Sequence, residues 1–141
     1  MAYSYEYPRP AVTVDCIIIR NTLKPEILLI KRKFEPFKDS WALPGGFVDS
    51  NETLEQAAIR ELEEETNITD IDLLQMHAFS ELNRDPRGQT ISIVFYGFTH
   101  SSHVAVANDD AKEVNWFLLN KLPELAFDHA EIINRFTKTI I

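Results

Sequence analysis

Residues 46–68 read GFVDSNETLEQAAIRELEEETNI, and they contain the signals for a central helix. Thr53 and Gln56 have the spacing of a capping box, in which the hydroxyl accepts from a first-turn amide and the glutamine side chain reaches back to the cap. The spacing predicts a helix that begins near Thr53 and runs to about Thr66. Its apolar residues are Leu54, Ala58 and Leu62, with Ala57 and Ile59 beside them. This apolar face predicts that the helix packs against a sheet.

Three carboxylates share another face of the same helix. Glu61, Glu64 and Glu65 stand at positions i, i+3 and i+4, so their side chains are neighbours, whereas Leu62 points the other way. Like charges at this spacing cost roughly 0.2 to 0.5 kcal/mol per pair, and a bound cation would offset that cost. Carboxylate oxygens are the ligands that Mg²⁺ and Mn²⁺ prefer. The face is therefore either a metal site suited to hydrolysis at phosphorus or an ordinary solvated run of glutamates.

The chain on either side of this helix alternates between strands and loops. The β-branched and alternating residues predict strands over residues 11–20, 26–31, 41–43, 70–81, 89–100 and 113–119. The break Pro44-Gly45-Gly46 is predicted to end regular structure, and a closing helix is predicted over residues 128–137. Strands on both sides of one helix, followed by a terminal helix, predict a single α/β domain over residues 1–141. Its expected architecture is an α/β/α sandwich with a central mixed β-sheet.

Composition restricts the partners of the chain. Of its 141 residues, 45% are hydrophobic and 26% are charged, and the formal net charge is -8. The negative charge argues against sequence-independent binding to nucleic acid. No apolar stretch approaches the ~20 residues of a membrane helix, and the first ten residues lack the pattern of a secretory signal. Cys16 is the only cysteine, so no intrachain disulfide can form. We therefore expect a cytoplasmic protein that binds neither membranes nor nucleic acid.

A wider pattern surrounds the glutamates. Its positions are Gly46, Glu52, Arg60, Glu61, Leu62, Glu64, Glu65 and Ile68. This pattern resembles the Nudix box, G-x5-E-x7-R-E-U-x-E-E-x-G-U with U aliphatic, at every specified position except one. Asn67 stands where the last glycine belongs. Asparagine is second only to glycine in its tolerance of the left-handed conformation, so we expect Asn67 to end the helix without loss of activity.

The resemblance implies a fold and a chemistry. It implies a Nudix-type sandwich that hydrolyses the pyrophosphate bond of a nucleoside diphosphate linked to another group. The ligands that it implies for Mg²⁺, or for Mn²⁺, are Glu61, Glu64 and Glu65, joined by a backbone carbonyl of Gly45 or Gly46. Glu64 and Glu65 are also implied in catalysis. Arg60 and Glu52 would orient the metal-binding carboxylates through charge-assisted hydrogen bonds. Members of the family are commonly dimers, so a homodimer is expected.

Two basic segments are candidates for substrate binding. Residues 31–33, Lys-Arg-Lys, precede a loop with aromatic residues, and positive charge beside aromatic faces suits a nucleotide. The alternative is that these aromatic residues belong to the core. Residues 83–88, Asn-Arg-Asp-Pro-Arg-Gly, form a predicted loop that either aims polar groups into a site or is simply solvated. The candidate substrate-binding residues are Arg32, Phe37, Trp41, Arg84, Asp85 and Arg87.

Three further segments resemble the ADP-ribose pyrophosphatase branch of the Nudix family. They are residues 9–15 (RPAVTVD), 84–88 (RDPRG) and 125–129 (LAFDH). The resemblance implies hydrolysis of ADP-ribose to AMP and ribose 5-phosphate. The same chemistry on a dinucleotide, a sugar nucleotide or an oxidised nucleotide is an alternative. So is a non-catalytic ADP-ribose sensor, because the branch is also similar to the sensor domains of certain transcription regulators of NAD metabolism. The sequence ends at Ile141 without a winged-helix segment, and all three box carboxylates are present, so the enzyme is expected.

The sequence leaves the general base open. Histidine titrates near neutrality, which makes His129 a candidate, but a helix start with Asp128 as its cap is the favoured interpretation of that segment. The other candidates are Asp109, Asp110, Glu113 or a glutamate of the box.

Overall fold

A computed structural model describes residues 4–100 and 111–141 of the chain. Within these ranges, the strands are β1 (Ala11–Arg20), β2 (Glu26–Arg32), β3 (Trp41–Ala42), β4 (Gly45–Phe47), β5 (Leu74–Phe79), β6 (Thr90–Thr99) and β7 (Ala111–Leu118), and the helices are α1 (Leu54–Thr66) and α2 (His129–Thr139). Neither of these two helices has the length and apolar character needed to cross a bilayer. Asp109 and Asp110, two of the candidate bases, lie outside the described residues.

β1 lies at the centre of the sheet. It pairs with β6 in parallel along its whole length, from Ala11 to Arg20, and with β2 and β4 in antiparallel. β5 pairs with the other edge of β6, while β3 and β7 both pair with β2. Residues 13–19 of β1 are all buried, as expected for a strand that is covered on both faces. Parallel and antiparallel pairs occur in one sheet, which confirms the prediction of a mixed sheet.

Each face of the sheet is covered by one helix. One buried cluster contains Val14, Cys16 and Ile18 of β1 together with Ala57, Ala58 and Leu62 of α1. The other contains Ile17 and Ile19 of β1 together with Ile132, Ile133 and Phe136 of α2. β1 contributes to both clusters because successive side chains of a strand point to opposite faces. The predicted α/β/α sandwich is confirmed.

The helix α1 begins and ends as the sequence predicts. The Gln56 N–H donates to the Thr53 hydroxyl, and the Gln56 side chain accepts from the Thr53 N–H. Asn67 adopts the left-handed conformation with a φ of 61°, and its N–H donates to the Glu63 carbonyl. Ile59, which was expected on the apolar face, is instead 52% exposed. A rotation of about 100° per residue carries it beyond the buried stripe of the helix.

We expect Asn67→Gly to leave the turnover number within about twofold of the wild-type value, because glycine adopts the left-handed conformation at least as readily. Asn67→Ala is the matched control. It should lower the free energy of unfolding by about 1 kcal/mol, since alanine is disfavoured in this conformation. Steady-state kinetics and thermal unfolding measure the two effects. A rise in turnover of about tenfold for Asn67→Gly would show instead that asparagine impairs the box.

Two boundary predictions were wrong. Residues 44–46 do not end regular structure, because Gly45 and Gly46 belong to β4 and pair with β1. The glycines need little β propensity of their own when a central strand already lies beside them. The strand predicted over residues 70–81 is confined to β5, Leu74–Phe79, and the left-handed φ of 60° at Asp70 excludes that residue from an extended strand. The pairing of β4 places both glycines next to α1.

Candidate active site

A cleft of about 320 Å³ opens beside β4 and the glutamate face of α1. Its wall brings together acidic and basic side chains from distant parts of the sequence. The wall includes Asp15, Gly45, Gly46, Glu61 and Glu65, and also Arg32, Phe34, Arg87 and Phe127. Carboxylates that stand next to guanidinium groups can hold a cation and a phosphate side by side.

The three glutamates of the box differ in their surroundings. Glu61 and Glu65 are buried, whereas the side chain of Glu64 is 43% exposed. Glu65 Oε1 accepts a hydrogen bond of 2.6 Å from the Gly45 N–H. A Cβ atom on Gly46 would lie 2.6 Å from the carboxyl carbon of Glu61. Glycine at position 46 is therefore what lets β4 and the glutamate helix approach so closely.

Arg60 joins the carboxylates of this face. It donates to the two oxygens of Glu52 at 2.6 and 3.0 Å and to the Phe47 carbonyl at 3.0 Å. Its Nη1 donates to Glu61 at 2.8 Å and to Glu64 at 3.2 Å. The hydrogen bonds from Arg60 lower the pKa of Glu52, and the same bonds raise the pKa of Arg60. Arg60 thus offsets the repulsion between the glutamates and orients them.

The donor atoms of this face fit a hard divalent cation, because they are carboxylate oxygens next to backbone peptide groups. The described residues contain no ready-made cluster of three His, Cys, Asp or Glu side chains. Instead, Arg60 holds Glu61 and Glu64, and the Gly45 N–H holds Glu65. Mg²⁺ usually takes one or two protein carboxylates and completes its shell with water and substrate phosphate. A site in which the protein supplies only some of the oxygen ligands is compatible with this coordination of Mg²⁺.

A sequence profile described as the NUDIX domain matches residues 9–136, which include the whole glutamate helix and the cleft. The chain belongs to the Nudix family. It is 48% identical to the ADP-ribose pyrophosphatase of Methanocaldococcus jannaschii over 132 residues, which make up 94% of this chain and 76% of that protein.

Two solved structures of Nudix proteins match nearly the whole chain. The NUDIX domain of Shewanella oneidensis NrtR in complex with ADP ribose has a TM-score of 0.87 at 27% identity, and the match covers 96% of this chain and 91% of that one. A bifunctional NMN adenylyltransferase/ADP ribose pyrophosphatase from Francisella tularensis, in complex with AMP and a Mn ion, has a TM-score of 0.81 at 36% identity. That match covers 95% of this chain and 43% of the larger protein.

Arg84 reaches the wall of the Nudix cleft but is held by protein groups. Its guanidinium donates to both carboxylate oxygens of Asp128, at 2.7 and 2.8 Å, and to the Ser92 hydroxyl at 2.6 Å. Only 5% of the side chain is exposed. Arg84 therefore ties the loop before β6 to the start of α2, and it does not offer free donors as the sequence predicted. Asp128 stands at the N-cap position of α2 as predicted, but its carboxylate is bound to Arg84 and caps no helical N–H.

Asp15 lines the Nudix cleft although it was not among the predicted site residues. It lies on the face of β1 that α2 covers, is hydrogen-bonded to Ser92, and has its Oδ1 3.8 Å from His129 Nε2. Burial raises the pKa of the Asp15 carboxyl to about 7, although the nearby charge of Arg84 opposes this effect. The sequence did hold a signal, since a carboxylate inside a buried apolar strand is rare and often functional.

His129 is a buried hydrogen-bond acceptor, which removes it from the candidate bases. Its Nδ1 accepts a hydrogen bond of 3.0 Å from the Leu43 N–H, so the proton of the neutral ring lies on Nε2. Burial lowers the pKa of His129 to about 4. A base needs a free lone pair that faces the substrate, and this ring has none. Glu113 pairs with Lys31 at 3.4 Å and is not part of the cleft wall. Of the candidates within residues 4–100 and 111–141, the box glutamates remain.

We expect His129→Asn to remove a pH dependence of folding between about pH 4 and pH 6.5. The asparagine Oδ1 can replace Nδ1 as the acceptor for Leu43, but it binds no proton. The unfolded wild-type chain protonates His129 below the ordinary pKa of 6.5, whereas the folded chain does so only below about 4. Protons therefore favour the unfolded state in this window. As the pH falls through it, the wild type should lose about 3 kcal/mol of unfolding free energy relative to the variant.

Urea unfolding of both proteins across this range measures the difference. Asp15 has a raised pKa and contributes the opposite slope, because its ionisation destabilises the folded state as the pH rises. That contribution is common to both proteins and cancels when they are compared. A difference between them that stays constant with pH would contradict the buried neutral ring.

Arg32, Asp85 and Arg87 line the cleft as the sequence predicted. Asp85 accepts from the Arg87 guanidinium at 2.8 and 3.1 Å and from its backbone N–H at 2.9 Å. Burial alone would raise the pKa of Asp85, but the hydrogen bonds from Arg87 outweigh it and lower the pKa. Burial and the neighbouring charge of Arg87 lower the pKa of Arg32. Asp85 thus fixes the guanidinium of Arg87, and Arg32 stands close to Arg87.

The predicted aromatic residues have different places. Phe37 is exposed and does not line the cleft, although its ring centroid lies 4.7 Å from that of Phe127. Trp41 packs against Phe117 at a centroid distance of 4.8 Å. It therefore belongs to the core on the α2 face and not to the substrate site. Phe127 itself lines the cleft and was not predicted, because only tertiary contacts bring it to the arginines.

Proposed function

We propose that this chain hydrolyses the diphosphate of ADP-ribose to AMP and ribose 5-phosphate, with Mg²⁺ or Mn²⁺ as its cofactor. The observation that carries the proposal is a cleft in which Glu61 and Glu65 of the box stand beside Arg32 and Arg87. A diphosphate can contact a carboxylate-bound cation and guanidinium groups at the same time. The 48% identity to an ADP-ribose pyrophosphatase supports ADP-ribose as the substrate, and so does the likeness to a NUDIX domain that was crystallised with ADP ribose.

The metal site is proposed on the glutamate helix and β4. The cation would be held by Glu61, Glu64 and Glu65, with a backbone carbonyl of Gly45 or Gly46. When bound, the cation supplies neutralising charge for the diphosphate and acidifies a water molecule for attack on phosphorus. Arg60 orients two of the carboxylates, since its Nη1 donates to both Glu61 and Glu64. Glu52 in turn holds the guanidinium of Arg60.

A glutamate of the box is also the proposed acceptor of the water proton. Glu64 suits this role better than Glu61 or Glu65, because its side chain is the most exposed of the three and water can reach it. Arg32 and Arg87 would neutralise the phosphates of the bound substrate.

We also propose a cytoplasmic homodimer that does not bind nucleic acid. Ile140 and Ile141 are exposed after α2 and could contribute to an apolar contact between copies. The net charge of -8 supports the exclusion of nucleic acid. The mass of one chain is 16.2 kDa, so light scattering distinguishes the dimer from the monomer directly. A mass equal to that of one chain would contradict the dimer.

The substrate is tested with a panel of nucleoside diphosphate derivatives. ADP-ribose, NAD, diadenosine polyphosphates and sugar nucleotides are incubated with Mg²⁺ and excess phosphatase, which releases phosphate only after the diphosphate has been cleaved. Nucleoside triphosphates are followed by the release of pyrophosphate. We expect kcat/KM for ADP-ribose to exceed that for every other compound by about tenfold or more, and EDTA to stop the reaction. A higher kcat/KM for a dinucleotide or a sugar nucleotide would replace ADP-ribose as the substrate.

A further inference from the structure

Two arginines of the cleft lie over the same aromatic ring. The guanidinium carbon of Arg32 is 5.0 Å from the centroid of Phe127, and that of Arg87 is 5.5 Å from the same centroid. Arg87 also lies 4.7 Å from the centroid of Phe47, so its guanidinium stands between two rings. Arg87 is paired with Asp85. Arg32 forms no ion pair with any described carboxylate, and its Nε donates to the Pro36 carbonyl at 2.7 Å. The two guanidinium groups together therefore carry positive charge that Asp85 balances only in part, and both line the cleft.

The ring of Phe127 is held in place at the cost of backbone strain. Phe127 has a left-handed φ of 51°, which is disfavoured for a bulky side chain. Phe37, whose ring contacts it, has a left-handed φ of 60°. Two touching aromatic residues in this conformation persist only where the surrounding structure fixes them, and such strain clusters at ligand-binding sites.

We propose that Phe127 is a positioning residue that aligns Arg32 and Arg87 as a paired-guanidinium subsite for a phosphate group of the substrate. The proposal rests on the proposed function for the substrate class, a nucleoside diphosphate. Cation–π attraction draws both guanidinium groups to one ring although their charges repel each other. The ring is not available as a stacking surface for a base, because Arg32, Arg87, Phe37 and His129 already surround it.

Phe127→Leu tests this role, because leucine keeps an apolar side chain but removes the ring. Binding of ADP-ribose and of inorganic pyrophosphate is measured by calorimetry in EDTA, where the arginines act without a cation. We expect the dissociation constant of each to rise about tenfold in Phe127→Leu. Phe127→Tyr keeps the ring and should restore both constants to within about twofold. In turnover with Mg²⁺, Phe127→Leu should raise KM while kcat stays within about threefold, since the ring contacts no box glutamate.

Two controls separate positioning from packing. Phe98→Leu makes the same replacement at an exposed phenylalanine outside the cleft, and it should leave both dissociation constants unchanged. Phe127→Leu is then combined with Arg32→Gln. Because the ring acts through the arginines, it should weaken binding by a smaller factor in this background than in the wild type. The same factor in both backgrounds would assign the effect to packing and overturn the proposal.

The outcomes separate this subsite from the proposed hydrolysis. If Phe127→Leu binds both probes as tightly as the wild type, or if the wild type binds neither probe, the subsite is overturned. If the wild type binds ADP-ribose in this ring-dependent way but does not cleave it, the subsite stands and the proposed function fails.

Discussion

Glu64→Gln should lower kcat for ADP-ribose by about a thousandfold, which corresponds to about 4 kcal/mol of transition-state stabilisation. The substitution keeps the shape of the side chain and removes the charge that the proposed metal site requires. The Glu64 side chain is 43% exposed and accepts a hydrogen bond from Arg60, which a glutamine oxygen can also accept, so the fold should tolerate glutamine. Steady-state kinetics with Mg²⁺ and a thermal unfolding curve measure the two effects.

Glu63→Gln is the matched control for this prediction. It removes the same charge one residue away, but Glu63 is exposed to solvent and lies off the helix face that Glu61, Glu64 and Glu65 share, so turnover should stay close to the wild-type value. Glu65→Gln extends the test, because the amide oxygen of glutamine can still accept from the Gly45 N–H. Retained activity in Glu64→Gln or in Glu65→Gln would remove the glutamate helix from the mechanism.

Gly46→Ala should lower turnover by about a hundredfold while the protein still folds. The added Cβ would lie 2.6 Å from the carboxyl carbon of Glu61, which is the far end of a flexible side chain. The Glu61 carboxylate can rotate away from the added atom. The substitution should therefore misorient a proposed metal ligand without unfolding the protein. Turnover, and the midpoint of the Mg²⁺ dependence, should both change.

The neighbouring glycine gives the contrast for this prediction. A Cβ on Gly45 would clash with the Val14 carbonyl oxygen, a backbone atom of the central strand that cannot move aside. Gly45→Ala should therefore lower the free energy of unfolding by about 3 kcal/mol or more. If Gly46→Ala lost its fold to the same degree, or if it kept full activity, the proposed place of Glu61 beside β4 would be contradicted.

Features that depend on neighbouring residues could be predicted from the sequence. The limits of α1 follow from Thr53, Gln56 and Asn67, because capping and left-handed termination are decided within a few residues. The shared face of Glu61, Glu64 and Glu65 follows from helical spacing in the same way. These features are local, so composition elsewhere in the chain does not change them.

Features that depend on tertiary contacts could not be predicted. Arg84 looked free for a substrate because its partner Asp128 lies 44 residues away along the chain. His129 looked like a base or a helix start, but the N–H of Leu43, 86 residues earlier in the chain, makes it an acceptor. Asp15 and Phe127 enter the cleft only through the pairing of β1 and the start of α2. Local propensity carries no information about such pairs, so their chemistry appears only in the folded chain.

The most direct test of the central claim is the reaction of the wild-type protein with ADP-ribose and Mg²⁺, followed by ³¹P NMR. We expect the diphosphate signals to disappear, AMP and ribose 5-phosphate to appear in equal amounts, and EDTA to stop the reaction. The contradicting result is an unchanged diphosphate spectrum together with a rise in melting temperature on addition of ADP-ribose. The domain would then bind the nucleotide as a sensor does and would not cleave it.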